Sequence, residues 1–332
     1  MRIVITGANG FVGASLCRYF SLRGHEILAT GRQFHPNPSL LKFADYFRCD
    51  ITNAFNFFNA DMCIHAAGLA SEHEKKELLN RVNITGTQNI LNASYNCKAF
   101  VYISSSSVYD FKEFAAKETD SLLTNRLSNY GRSKLKAEEV IVNTHDNISH
   151  KLILRPRAIY GIGDRILLPQ IFKLVKGKSI LCPVTASVKT SITNVLNIAN
   201  AIDLFIQQKE KPPVQTYNIC DNEIYHLRNL IMNILQSFYS NKLQPFYFSK
   251  NVIKTLIKIN SILHVTKQLG PLSGKAMTQN CILDTSKIRD QLNFRGIYNF
   301  DNSIEALKSW INNMGGPSGY LQHLTDVPWL NQ

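Results

Sequence analysis

The chain has 332 residues, 45% of them hydrophobic, and carries 37 lysines and arginines against 24 aspartates and glutamates, a formal net charge of +13. That length accommodates one large or two modest domains, and the apolar share excludes a globally disordered chain. The basic residues are dispersed with no cluster of four or more, which argues against a nucleic-acid stripe and favours an anionic small-molecule partner or a solubilising surface.

Along the first half, short apolar runs alternate with helical patterns. Strands are predicted at 2–6, 26–30, 45–49, 61–65, 99–103 and 151–155, and helices at 11–23, 74–96 and 128–145. Such alternation predicts a parallel sheet with helices on both faces. The run Phe100-Val101-Tyr102-Ile103 is read as a buried central strand.

The first connection is the most informative. Ile3-Val4-Ile5 leads into Thr6-Gly7-Ala8-Asn9-Gly10-Phe11-Val12-Gly13, after which Leu16, Tyr19, Phe20 and Leu22 share a helical face. Strand, glycine loop and helix form the context of a dinucleotide-phosphate site. Gly7 suits the tight turn, Gly10 the close approach of backbone to a pyrophosphate, and Gly13 the packing of helix on sheet. The phosphates would sit at the helix N-terminus, where free N–H groups and the positive dipole end favour an anion.

After residue 160 the pattern becomes irregular, punctuated by Gly161, Gly163, Pro169 and Lys211-Pro212-Pro213. Helices are expected near 165–176, 194–208, 226–239, 250–264 and 301–313. The fold class expected is α/β, a doubly wound parallel sheet of Rossmann type with a smaller, mostly helical C-terminal region. The division expected is 1–164 for dinucleotide binding, 165–314 for substrate with some segments returning to the sheet, and 315–332 as a tail. In 250–264, Val252, Ile253, Leu256, Ile257, Ile259, Ile262 and Leu263 oppose Lys250, Lys254 and Lys258. This stripe suits an ordinary core helix, a substrate cleft or peripheral contact with a membrane.

The seven cysteines, at 17, 49, 63, 97, 182, 220 and 281, form no C-x-x-C pair and are read as reduced thiols of a cytoplasmic protein, with no metal site. No secretory signal is expected, and no run of 18 apolar residues predicts a spanning helix.

Two further stretches carry chemistry. In Tyr130-Gly131-Arg132-Ser133-Lys134, a helix puts Tyr130 and Lys134 on one face. A lysine ammonium beside a phenol lowers its pKa, which suits Tyr130 as a general acid/base for an alcohol–ketone pair. Ile103-Ser104-Ser105-Ser106-Ser107-Val108-Tyr109 lies at the carboxyl end of the presumed central strand, where open α/β sheets bind ligands.

With these three signals in this order, the chain resembles the extended short-chain dehydrogenase/reductase family, the sugar-nucleotide epimerase/dehydratase group. The resemblance extends through Asp50-Ile51, His65-Ala66-Ala67-Gly68, Asn83-Ile84-Thr85-Gly86-Thr87 and Leu154-Arg155-Pro156-Arg157-Ala158-Ile159-Tyr160-Gly161. Near the end it takes in Leu283-Asp284-Thr285-Ser286-Lys287 and Leu292-Asn293-Phe294. It implies Tyr130 as acid/base, Lys134 on the nicotinamide ribose and Ser105 as the catalytic serine. It places Asp50 and Ile51 at adenine, Ala66, Ala67 and Gly68 beside ribose and pyrophosphate, and Pro156 and Ala158 at the nicotinamide. Gly7, Asn9, Gly10, Phe11, Val12, Gly13, Asn83 and Ser104 complete the implied cofactor site. Ser106, Ser107, Arg157 and Lys189 are candidates for substrate contact. A homodimer through helices 74–96 and 128–145 is implied by the family habit.

Three departures sharpen the expectation. Dehydratase members carry an acid pair directly after the catalytic hydroxyl, whereas Ser106 and Ser107 stand here, so a 4,6-dehydratase is not expected. The second strand ends in Gly31-Arg32 rather than in the acid that bonds a ribose 2′-OH, which favours NADP(H) over NAD(H). Leu196 and Asn197 replace the acid that often follows the valine of this segment. The leading expectation is NADPH-dependent reduction of a keto group on a nucleotide-linked sugar. The alternatives are a nucleotide-sugar 4-epimerase with retained NAD, a 3β-hydroxysteroid-dehydrogenase-like enzyme on a hydrophobic alcohol, and a non-catalytic dinucleotide-binding redox sensor.

Overall fold

The computed structural model describes residues 1–54, 58–72, 74–112, 114–120, 122, 124–144, 147–182, 187–239, 243–248, 251–252 and 274–324. Seven strands form its main sheet: β1 (Arg2–Thr6), β2 (Glu26–Gly31), β3 (Asp45–Arg48), β4 (Met62–His65), β5 (Ala99–Ile103), β6 (His150–Pro156) and β7 (Val214–Ile219). Their order is β7-β6-β5-β4-β1-β2-β3, and every adjacent pair is parallel. The chain is an α/β protein with a doubly wound, Rossmann-type sheet. The order reverses at β1, which lies between β2 and β4, so the glycine loop leaves the sheet at its switch point.

The strand sequences suit this placement. Ile3, Val4, Ile5, Cys63, Ile64, Phe100, Val101, Leu152, Ile153 and Leu154 are buried, as continuous apolar strands covered on both faces must be. Helices α1 (Phe11–Ser21), α2 (Lys76–Asn80), α3 (Gly86–Ala93) and α4 (Asn129–Asn143) follow the predicted positions. The helix predicted over 74–96 is divided by a π-helical turn at Arg81–Thr85, and Asn83 lies within it. Such turns frequently occur at functional sites because they re-aim a side chain.

The second half contains more strand than its sequence pattern suggests. Helices α5 (Leu167–Phe172), α6 (Val195–Gln207), α7 (Leu227–Phe238), α8 (Ser286–Leu292), α9 (Phe300–Asn312) and α10 (Gly316–Gln322) are joined by β7 and short strands. β7 was not predicted because Gln215, Thr216 and Asn218 interrupt its apolar residues. Their polar groups are satisfied instead by Gln208, Lys287, Ala116 and Asp284. The tail is anchored by Tyr320, whose buried ring meets Trp310 at 5.3 Å and Phe172 at 5.9 Å. Most of the 250–264 stripe, residues 250 and 253–264, and the end of the tail, 325–332, lie outside the described residues. Among the described residues no helix is long and apolar enough to cross a membrane.

Candidate active site

The glycine loop is shaped by close packing. Gly7 has φ +69°, and a Cβ there would lie 2.8 Å from the Ala67 backbone. A Cβ on Gly13 would lie 2.4 Å from the Gly7 carbonyl oxygen. Glycine is therefore required at both positions: the β1 turn and the Ala66-Ala67-Gly68 segment after β4 touch backbone to backbone. Gly10 caps α1 with no side chain and no acidic residue in the first turn. An N-terminus of this kind, open at its backbone N–H groups, fits the pyrophosphate of a dinucleotide.

A directional hydrogen-bond chain fixes this seam. The Ala67 N–H donates to Thr6 Oγ1 at 3.1 Å, and Thr6 Oγ1 lies 2.7 Å from His65 Nδ1. His65 Nε2 lies 3.1 Å from Thr87 Oγ1, whose hydrogen is committed to the Asn83 carbonyl at 2.6 Å. His65 must therefore be protonated on Nε2 and accept at Nδ1. Complete burial, helped by the charge of Lys134, pushes its pKa down to about 3, so the ring is neutral.

At the end of β2, Asn9 Nδ2 donates to the Tyr46 hydroxyl at 3.1 Å. A Cβ on Gly31 would lie 2.7 Å from that Nδ2 and 3.0 Å from the Tyr46 oxygen. The Asn9–Tyr46 pair thus occupies the space an acidic side chain would need. Arg32 is exposed, and its carbonyl accepts from Arg48 Nε at 3.1 Å. The Arg48 guanidinium stacks 3.6 Å over the Phe34 ring. Arg48 was not anticipated; its parallel register with Gly31 puts a second cation at this edge. Asp50 accepts from the Thr52 N–H and hydroxyl, which hold its carboxyl below the ordinary range, with Arg32 and Arg81 adding to the effect. The buried Ile51 packs under the helix that starts at Gly86.

The predicted reactive residues converge at the carboxyl end of β5. Ser105 caps a short 3-10 turn, its Oγ accepting from the Ser107 N–H at 3.1 Å. Its hydroxyl faces the Tyr130 phenol and favours the phenolate. The α4 backbone crosses the serine loop at Gly131, where a Cβ would lie 2.1 Å from the Ser107 carbonyl oxygen. Lys134, 5% exposed, donates from Nζ to the Ile103 carbonyl at 2.7 Å and lies 4.2 Å from the Tyr102 ring centroid. Burial pulls its pKa down to about 7, opposed by Glu138.

The expected depression of the tyrosine pKa is not what this geometry produces. Burial pushes Tyr130 up to about 12, only partly offset by its bond to Ser105, and Glu72 raises it further. The reason is the lysine's orientation: its ammonium is spent on the Ile103 carbonyl and the Tyr102 face. In this state Tyr130 is a neutral phenol, the form that donates a proton.

Two residues implied as cofactor contacts use their side chains within the protein. Asn83 accepts from the Leu69 N–H at 2.8 Å and donates to the Leu69 carbonyl and to Ser133 Oγ. The Ser104 hydroxyl donates to Glu138. Ser106 is buried and Ser107 partly so, both inside the 3-10 turn. Pro156 ends β6, and Ala158 follows at φ 43°, a left-handed conformation that a non-glycine residue adopts at a cost of about 1–2 kcal/mol. Such strain is concentrated at ligand sites. Arg157 donates from Nε to Thr190 at 3.2 Å and lies 5.0 Å from the Phe111 ring centroid. Leu167, Ile171, Ile192, Leu227 and Leu230 line a narrow apolar seam beside Arg157 and Ala158. Lys189 is exposed.

The residues that sequence reasoning missed are Glu138, Arg155 and Tyr109. Arg155 bonds Glu138 in a buried fork, Nη2 to Oε2 at 2.6 Å and Nε to Oε1 at 3.1 Å. Its Nη1 donates to the Tyr109 hydroxyl at 2.7 Å, and that hydroxyl donates to Asn218 Oδ1 at 2.8 Å. The available signal was the four-residue spacing of Lys134 and Glu138 on one helix.

Comparison with known proteins places the chain among proteins of the same fold. The family model described as the NAD dependent epimerase/dehydratase family matches residues 3–220. An uncharacterized Escherichia coli protein, YbjS, is 21% identical over 95% of this chain and 99% of its own. The 2-alkyl-3-oxoalkanoate reductase of Stenotrophomonas maltophilia is 25% identical over 71% of this chain and 75% of its own. Among solved structures, UDP-glucuronic acid 4-epimerase from Bacillus cereus in complex with NAD is similar with a TM-score of 0.71 at 19% identity, covering 99% of each chain.

Proposed function

The chain belongs to the NAD dependent epimerase/dehydratase family, and from that premise we propose that it is an NADPH-dependent reductase of a keto group, most directly one on a nucleotide-linked sugar. The observation that carries this reading is the convergence of Ser105, Tyr130 and Lys134 at the carboxyl end of β5, opposite the glycine loop at the switch point. A bound nicotinamide dinucleotide supplies the hydride. The protein's part is then positioning and proton supply. Ser105 orients the carbonyl oxygen by hydrogen bonding, and the neutral Tyr130 phenol gives it a proton. Lys134, close to its titration midpoint, holds the ribose and restores the phenol through solvent. Gly7, Gly10 and Gly13 open the N-terminus of α1 to the pyrophosphate, and the Ala66–Gly68 segment runs beside it.

NADP(H) is favoured by the Asn9–Tyr46 pair filling the acid's place at Gly31 and by Arg32 and Arg48 at the same edge. Guanidinium groups pair with a 2′-phosphate through charge-assisted hydrogen bonds. A 4,6-dehydratase is disfavoured because Ser106 and Ser107 are poor acids and bases near neutral pH. The sugar-nucleotide reading is supported by similarity to the Bacillus cereus epimerase and by the exposed Lys189 as a phosphate partner. A second reading, a hydrophobic ketone, is favoured by the apolar seam of Leu167, Ile171, Ile192, Leu227 and Leu230 and by the 3-oxoalkanoate reductase relative. The subunit would pair through α2, α3 and α4, which sedimentation of the purified protein tests.

The deciding experiment is a stopped assay of NADPH oxidation with keto-sugar nucleotides and with 3-oxoalkanoates, together with identification of the cofactor released on denaturation. NADPH consumption with a keto-sugar nucleotide supports the first reading. Consumption with the 3-oxo acid alone moves the assignment to the second. Tightly retained NAD with interconversion of epimers, and no net reduction, overturns the reductase assignment. Cofactor binding without turnover of any carbonyl compound would make the protein a sensor.

A further inference from the structure

The serine loop at the end of β5 is held from one side by two residues of α4. Lys134 Nζ bonds the Ile103 carbonyl at 2.7 Å, and the next residue along the loop, Ser104, donates its hydroxyl to Glu138. Ser105, which caps the following turn and faces Tyr130, comes immediately after. Lys134 and Glu138 are four apart and share one helix face. Glu138 is 4% exposed and Arg155 5%, and the Arg155 fork binds both carboxylate oxygens. The end of β5 at Ile103 and the following residue Ser104 are thus fixed to α4 by two hydrogen bonds, immediately before Ser105, which faces Tyr130.

We propose that Glu138 is a positioning residue for this centre: through Ser104 and Arg155 it locks the Ile103–Ser105 segment against α4, and it sets a carboxylate one helix turn from Lys134 as the counter-charge of that ammonium. The proposal rests on the reductase reading only for its effect on turnover.

The surroundings make that counter-charge necessary. From β5, Tyr102 presents its ring to Lys134. From β4, His65 is neutral and stacks on Tyr102 at 5.6 Å. From α4 itself, Tyr130 is an uncharged phenol. Facing Glu138 from β6 is Arg155, and behind it Tyr109, neutral because burial pushes its phenol up to about 12. Among the described groups around Lys134, the Ile103 carbonyl and the Tyr102 face are uncharged partners of the ammonium, and Glu138 supplies the negative charge that raises its pKa. Arg155 is the cation that allows a carboxylate to be buried here, and its planar fork leaves neither oxygen unsatisfied.

The test reads Lys134 directly and needs no turnover. The intact protein is labelled with 13C at lysine Cε, the Lys134 resonance is assigned from its loss in Lys134→Met, and its chemical shift is titrated. In the wild type the midpoint lies near neutrality. In Glu138→Gln it falls by about one pH unit or more, a tenfold loss of proton affinity. Glu138→Asp restores most of it. Because Glu138→Gln leaves Arg155 buried and unpaired and can unfold the chain, Glu138→Gln/Arg155→Met is titrated beside it. That double variant removes both charges, keeps the volume and still shows the lowered midpoint. A purely structural ion pair gives a folded double variant with the wild-type midpoint, which overturns the counter-charge role. Ser104→Ala tests the lock: its Lys134 midpoint stays in place while kcat falls about tenfold with the KM for cofactor unchanged. An unaltered kcat overturns the lock. Absence of turnover in the wild type speaks against the reductase reading, and the titration still decides the role of Glu138.

Discussion

Gly131 and Ser107 touch so closely that no other residue fits at position 131. A Cβ there would lie 2.1 Å from the Ser107 carbonyl oxygen and 3.0 Å from its carbon. The contact is backbone on backbone, so no side-chain rotation relieves it. It sets the distance between α4, which carries Tyr130 and Lys134, and the turn capped by Ser105. In Gly131→Ala the helix must withdraw from the serine loop. The expected result is a loss of about 1–3 kcal/mol in stability, the usual cost of overpacking, and at least a tenfold drop in kcat. Dinucleotide affinity falls less than kcat, because the glycine loop that would hold the pyrophosphate is elsewhere. Thermal melts, a fluorescence titration with cofactor and steady-state kinetics check this; wild-type kcat in the alanine variant would refute it.

The Gly31 edge leads to a prediction about cofactor choice. Arg32→Ala and Arg48→Ala should each weaken NADPH binding by about tenfold or more, the typical worth of a hydrogen bond to a charged group, and leave NADH binding nearly unchanged. Gly31→Asp should gain little for NADH, because its Cβ would collide with Asn9 Nδ2 at 2.7 Å and the Tyr46 oxygen at 3.0 Å. Calorimetric titration of each variant with both cofactors decides the matter. A wild type that binds NADH more tightly than NADPH contradicts the assignment.

The contrast between these two sites and the rest of the molecule shows what a sequence carries. The glycine loop, the serine run and the Tyr130/Lys134 pair were legible because each is local: a few adjacent residues whose spacing alone states a geometry. The six strands from β1 to β6 were legible for the same reason, as apolar runs punctuated by turns. β7 was not, because its polar residues Gln215, Thr216 and Asn218 are satisfied by partners as distant as Ala116 and Asp284. Arg155 and Tyr109 were missed because their roles come from long-range pairing across the sheet. The pKa of Tyr130 was misjudged because spacing places Lys134 near it but does not show that the ammonium is turned to the Ile103 carbonyl.

Lys134 makes the proton chemistry pH-dependent with a definite sign. Burial lowers its pKa to about 7, so its charged form, present below that value, is lost as pH rises through it. Tyr130, near 12, remains protonated throughout this range. For the free enzyme, kcat/KM of ketone reduction should therefore be level on the acid side and fall above about pH 7. Tyr130→Phe should lower kcat about 100-fold or more across the whole range, with cofactor affinity preserved, because the proton donor itself is gone. A rate that stays flat to pH 9, or a phenylalanine variant of normal activity, removes the Tyr130/Lys134 pair from the mechanism.

His65 gives the last prediction, and it concerns stability. The ring is fully buried, accepts at Nδ1 from Thr6 and donates at Nε2 to Thr87. Protonation would put a hydrogen on Nδ1, where the Thr6 hydroxyl already donates, and a charge beside Lys134. Its folded pKa of about 3 lies below the ordinary value of 6.5. The unfolded chain therefore takes up a proton that the folded chain refuses, and the sign follows. The contribution is complete above pH 6.5 and declines as pH falls towards 3, at about 1.4 kcal/mol per pH unit through that interval. Urea unfolding at pH 7.5 and 5.5 should show this acid loss in the wild type. His65→Gln, which keeps a donor and an acceptor but has no proton to gain, should be less stable at pH 7.5 yet show a smaller difference between the two pH values. An equal acid loss in both proteins would mean that other groups govern it, and that the Thr6–His65–Thr87 chain tolerates an imidazolium.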